Sequence, residues 1–157
     1  MSVRSLFLVL GLALAPSLFA SDLTIARVYS GWRDGASFKR IAEYFDGKEH
    51  TGGETVMRTH PEQRTGYYFL VRLKNAGAAR PVRFQLELIE PGNSPSRTLL
   101  FPANAASGAT VFQLGLTGPE WQNAKLQPMA WQLRVLGPDD QVLASEKSYL
   151  WEKPAAK

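Results

Sequence analysis

Apolar and polar positions alternate along the chain after residue 65. Tyr67, Phe69, Val71 and Leu73 fall on one face of an extended segment, with Arg72 and Lys74 on the other. That two-residue period is the mark of a half-buried strand. Tyr68 and Leu70 share the second face, so this strand reads as apolar on both sides. Asn75-Ala76-Gly77 supplies turn chemistry, after which Val82, Phe84, Leu86 and Leu88 repeat the pattern against Arg83, Gln85 and Glu87. Pro91 to Pro95 reads as a loop. Arg97 to Phe101, ended by Pro102, predicts a further strand, as do Thr110 to Leu116 and Trp131 to Val135. The turn residues Gly137-Pro138-Asp139-Asp140 then join the last of these to Gln141–Trp151 in a hairpin. In that final segment Val142, Ala144 and Leu150 share a face that Glu146 interrupts. A bulge near Glu146, or an edge position, would reconcile the two.

The first third follows a different rule. Leu23 to Tyr29 reads as a strand, but Phe38, Ile41, Ala42 and Phe45 fall at the spacing of one helix face. The pattern predicts a helix over 37–46, capped by Ser37 and ended by Gly47. So short a helix has no stability of its own and must rest on the sheets, which would cover Tyr68 and Leu70. Lys48 to Gly53 is a polar loop, and Glu54 to Thr59 is a strand stopped by His60-Pro61.

Seven or eight short strands and one helical insertion predict an all-β fold, an antiparallel β-sandwich. The runs after residue 65 resemble an immunoglobulin-like or fibronectin type III-like domain in rhythm, with Trp131 placed where a core tryptophan would suit. The resemblance is to an architecture, since the Cys-Trp-Cys framework is absent.

The amino terminus changes the setting. Arg4 and an uncharged run from Leu6 to Ala15, broken at Pro16 and followed by Ala20, have the form of a cleaved secretory leader over residues 1–20. A permanent span is the poorer reading, because about twenty apolar residues are needed and Arg4, Pro16 and serines interrupt the stretch. Residues 21–152 then form one domain and 153–157 a disordered tail, in a periplasmic or secreted protein without a stable membrane anchor. With no cysteine, the core must hold without disulfides, and thiol chemistry and thiolate metal sites are excluded. Losing Arg4 takes the formal charge from +4 to +3, and no basic stripe suits a nucleic acid.

Catalytic chemistry finds little support in the residue pattern. His50 and His60, with Glu49, Glu54 and Glu62 nearby, lack the one-turn spacing of a zinc helix and read as a polar loop. No Gly-x-Ser-x-Gly elbow is present, and Asp139-Asp140 is explained by its turn. No catalytic residue, metal ligand or cofactor is expected. The candidate binding residues are Trp32, Arg33, Tyr68 and Trp121, aromatic or next to aromatic positions able to stack on a sugar or anchor a protein. The competing reading makes Trp32 and Trp121 lids over the core. The chain thus reads as an exported, non-catalytic binding or assembly module that takes a protein partner. Carbohydrate binding through exposed aromatics is the alternative, and a small hydrolase with a His/Glu site the second alternative. Residues 31–64, which break the regular strand pattern, are the preferred functional surface.

Overall fold

The computed structural model describes residues 22–92 and 95–152; the expected leader and the expected tail lie outside the described residues. The described residues form eight strands: β1 (Leu23–Arg33), β2 (Thr55–Arg58), β3 (Gly66–Asn75), β4 (Arg80–Ile89), β5 (Arg97–Ala105), β6 (Gly108–Thr117), β7 (Ala130–Leu136) and β8 (Val142–Lys147). They form two four-stranded sheets, β1-β3-β6-β2 and β5-β4-β7-β8. The chain is therefore mostly β, in two sheets, with a minor helical component.

The alternating residues explain how the sheets meet. Phe69, Val71 and Leu73 of β3, Phe84, Leu86 and Leu88 of β4, Phe112, Leu114 and Leu116 of β6, and Leu133 and Val135 of β7 form one buried cluster. Phe84 meets Phe112 across the two sheets at 4.8 Å between ring centroids, and Phe69 meets Trp131 at 5.6 Å. Each such side chain contributes about 2 kcal/mol by leaving water, enough to dispense with covalent cross-links.

Several elements depart from the pattern-based expectation. β2 runs parallel to β6, pairing Thr55 with Phe112 and Arg58 with Gly115, so the arrangement is not wholly antiparallel. Pro102 does not end β5, which continues to Ala105. It stands on an edge strand, where a missing N–H costs no ladder bond if it faces outward. The last strand stops at Lys147, and Tyr149–Glu152 coil into a 3₁₀ turn. β8 is an edge strand, hairpin-paired with β7. Its irregularity lies at Leu143, where Val142 and Ala144 pair with adjacent β7 residues, rather than near Glu146.

The expected helix over 37–46 is replaced by two shorter pieces. A 3₁₀ turn covers Gly35–Phe38, and an α-helix of a single turn, α1, covers Glu43–Asp46. Asp34, not Ser37, caps the first by accepting a hydrogen bond from the Ala36 N–H. Lys39 is extended (φ −68°, ψ 128°) and breaks the helical period between Phe38 and Ile41. Phe38 is consequently buried, whereas Ile41, Ala42 and Phe45 point to solvent. Gly47 ends α1 in the left-handed conformation as expected.

Candidate functional site

The outer face of the first sheet carries the segment between β1 and β2, and the geometry there begins with a tyrosine. Tyr68 of β3 points away from the core yet is only 2% exposed. Room for its ring comes from Gly115, directly across on β6, where a Cβ would lie 2.4 Å from the ring. Phe38 closes over the ring at 4.8 Å. The Tyr68 hydroxyl donates to the Arg64 carbonyl at 2.7 Å and accepts from Arg58 Nε at 2.8 Å.

Arg58, at the end of β2, is the hub. Its side chain is 6% exposed, and both terminal nitrogens bind Glu49, at 2.6 and 2.8 Å. This two-bond geometry is the strongest form of carboxylate pairing. Two guanidinium groups approach the Phe38 ring, Arg33 at 3.9 Å and Arg58 at 4.9 Å from its centroid. Arg33 also donates to Gln113, whose amide in turn donates to Glu54. Arg64 reaches Glu43 at 2.7 Å and Glu49 at 3.5 Å, tying α1 to the same base. A cavity of about 220 Å³ opens beside this cluster, lined by Arg33, Phe38, Arg40, Glu49, Glu54 and Gln113 among others.

The electrostatics follow from these contacts. The Arg58 hydrogen bond holds the Glu49 carboxyl below the usual glutamate range, with burial opposing it. Burial, the largest single influence on Arg58, disfavours its charge, but the bonds to Glu49 and Tyr68 outweigh it and raise its pKa. Burial raises the Tyr68 phenol, with Arg58 acting against it. Because the folded Glu49 value is depressed, the pair adds stability that is complete above the ordinary glutamate value of 4.5 and is lost as pH falls through the depressed one. Melting temperatures of the wild-type and Glu49→Gln proteins should therefore differ at neutral pH and converge in acid. A gap that stays constant through the acid range would rule out this carboxylate as its source.

The four candidate residues fall into two places. Arg33 and Tyr68 come together around Phe38. Trp32 faces the other way, toward the core, and Trp121 is buried against Tyr67 at 5.1 Å. Both tryptophans act as lids at one end of the sheets, beside a shallow cavity of about 350 Å³ that also involves Gln63 and Gln122. Tyr68 and Trp121 are too buried to offer an open ring for stacking.

The histidines are not gathered into one cluster. His50 Nε2 lies 2.6 Å from Asp46 on the surface, and His60 Nδ1 lies 3.8 Å from Glu62. The Lys48 N–H, followed by His50, lowers the Asp46 pKa. No group of three or more metal-ligating side chains occurs among the described residues.

Residue patterning had not singled out Arg58, Gln113 or Gly115, and it placed Glu49 only with the histidines of a polar loop. Gly115 carries a readable sign, since a glycine inside an apolar strand marks a close approach by a neighbour. The most conspicuous surface feature was also unexpected. Ile41, Tyr44 and Phe45 are 78, 77 and 86% exposed, forming an apolar tip on α1 and the turn before it. Lys39 stands beside it, its Nζ 5.9 Å from the Tyr44 ring.

No protein-family model, curated protein or solved structure matches this chain.

Proposed function

We propose that this chain is an exported, non-catalytic binding module of the bacterial envelope that attaches to a protein partner through residues 31–64, with Ile41, Tyr44 and Phe45 as the contact. The observation that carries this reading is the exposure of those three side chains on a one-turn helix and the turn before it. Such a helix does not persist alone. Here the Arg64–Glu43 bridge and the Gly47 cap hold it, and the Arg58–Glu49 pair with Phe38 holds the segment around it. A rigid base that presents large apolar groups outward suits a surface completed by a partner. Burying them would contribute about 2 kcal/mol each, the scale of a binding hot spot. Glu43, Glu49, Arg58 and Arg64 are engaged in holding that base, which favours binding over catalysis.

The architecture supports the same reading. With β2 set aside, the order β1-β3-β6 facing β5-β4-β7-β8 corresponds to strands A-B-E facing C′-C-F-G of an immunoglobulin or fibronectin type III-like sandwich. The periplasmic or extracellular location rests on the leader-like residues 1–20. No helix among the described residues is long and apolar enough to cross a membrane.

A photocrosslinking residue at Tyr44, expressed in the native organism, should give one discrete adduct that Ile41→Ser with Phe45→Ser abolishes. The same residue at Thr98, on the edge strand of the other sheet, should give none. The serine variant should also melt within a few degrees of wild type, because exposed side chains add little to the fold. Equal adducts at both positions, or a collapse in melting temperature, would refute the assignment.

A further inference from the structure

Beyond the segment that covers Tyr68, the outer face of the first sheet stays open, and its composition is unusual. Arg27 of β1 stands directly across from Arg72 of β3, and Thr24 across from Lys74. Like charges facing each other across a strand pair are destabilising. No carboxylate forms an ion pair with Arg27, Arg72 or Lys74 among the described residues. Tyr29 lies beside the two arginines, on the side away from Lys74, 47% exposed, with the Arg27 guanidinium 5.3 Å and that of Arg72 5.9 Å from its ring centroid. Arg27 also donates to the Tyr29 hydroxyl at 2.7 Å.

A bulge creates this arrangement. The register of β1 shifts between Ile25, paired with Leu73, and Arg27, paired with Arg72, leaving Ala26 as the extra residue. Without it, Ile25, Arg27 and Tyr29 would share one face by the period of a strand. With it, Ile25 packs on the core while Arg27 and Tyr29 turn outward beside Arg72. Bulges that re-aim side chains recur next to functional sites. A fold selected for stability alone gains nothing from bringing two arginines together in this way.

We propose that Arg27, Tyr29, Arg72 and Lys74 bind an acidic polysaccharide. Arginine forks match the paired oxygens of carboxylates and sulfates, which a lysine-rich, point-charge surface does not discriminate. The half-exposed Tyr29 ring beside them adds an aromatic contact for a sugar. Lys74, the next outward position along β3, extends the facing Arg27 and Arg72 into a short row of cations, which suits anions repeated along a polymer. This site is separate from the apolar tip and stands or falls independently of it.

Affinity electrophoresis and calorimetry with polygalacturonate, neutral dextran, and vesicles of phosphatidylglycerol with phosphatidylcholine test this directly. Polygalacturonate should bind at low salt and weaken as salt screens the charges, while dextran should not bind. Arg27→Gln and Arg72→Gln should each weaken binding about tenfold, the scale of one charge-assisted hydrogen bond. Tyr29→Ala should weaken it too, and Lys125→Gln, in the loop before β7, should leave it unchanged. Arg72→Gln should melt no lower than wild type, because a repulsion has been removed. The proposal is overturned by absent polygalacturonate binding, by binding that survives Arg72→Gln, or by binding confined to vesicles. It is equally overturned if the arginine variants lose binding only because they no longer fold.

Discussion

Arg58→Met should lower the unfolding free energy by roughly 3 kcal/mol in a urea titration and release residues 35–54 from the sheet. The side chain is 6% exposed and serves Glu49, Tyr68 and Phe38 together. Methionine restores some of the apolar contact but leaves Glu49 without its main counter-charge, and breaking such a pair costs more than replacing both members. The loss falls at the low end of the usual range because Arg64 stays 3.5 Å from Glu49. Adding Glu49→Gln should therefore recover part of the deficit, giving a double variant more stable than the sum of the single losses implies. A single-variant loss under about 1 kcal/mol would place this pair among ordinary surface bridges.

Gly115→Ala should cost roughly 2 kcal/mol and disturb the near-ultraviolet signal of the Tyr68–Phe38 pair. An added Cβ would sit 2.4 Å from Tyr68 Cε1 and 2.7 Å from Cζ. The ring cannot retreat freely, since its hydroxyl is held by Arg58 and the Arg64 carbonyl and Phe38 lies over it. Removing a glycine also reduces the freedom of the unfolded chain, worth about 0.5 kcal/mol in the other direction, so the clash must win for the prediction to hold. Gly31→Ala is the matched control. Gly31 flanks Tyr68 on β1, but nothing lies within 4 Å of its added Cβ. It should cost under about 0.5 kcal/mol. Equal effects at the two glycines would show that backbone preference, not the ring, decides the outcome.

The strands that bury one face were legible as a pattern, and so was much of the core. Phe69, Val71, Leu73, Phe84, Leu86 and Leu88 were assigned to one face from alternation alone, and all are buried. The hairpin between β7 and β8 followed from its turn residues. The candidate site was legible only in part. Arg33 and Tyr68 meet there, whereas Trp32 and Trp121 close the core at one end. Arg58 and Glu49 looked like ordinary polar residues of a strand and a loop. Nine positions separate them, and a pairing of that kind is set by how the chain turns between.

Local periodicity determines which side chains share a face, because the backbone geometry of a strand repeats every two residues wherever it runs. That much belongs to the amino-acid order itself: the β character, the inward set and the turns. Tertiary structure decided what depends on a single irregular residue or a distant partner. Ala26 shifts the phase of β1, Lys39 breaks the helical period so that Phe38 turns in while Ile41 and Phe45 turn out, and β2 pairs parallel with a strand more than fifty positions later. A periodic pattern does not encode the point at which its own phase slips. That point is set by contacts with distant parts of the chain, a property of the whole sequence.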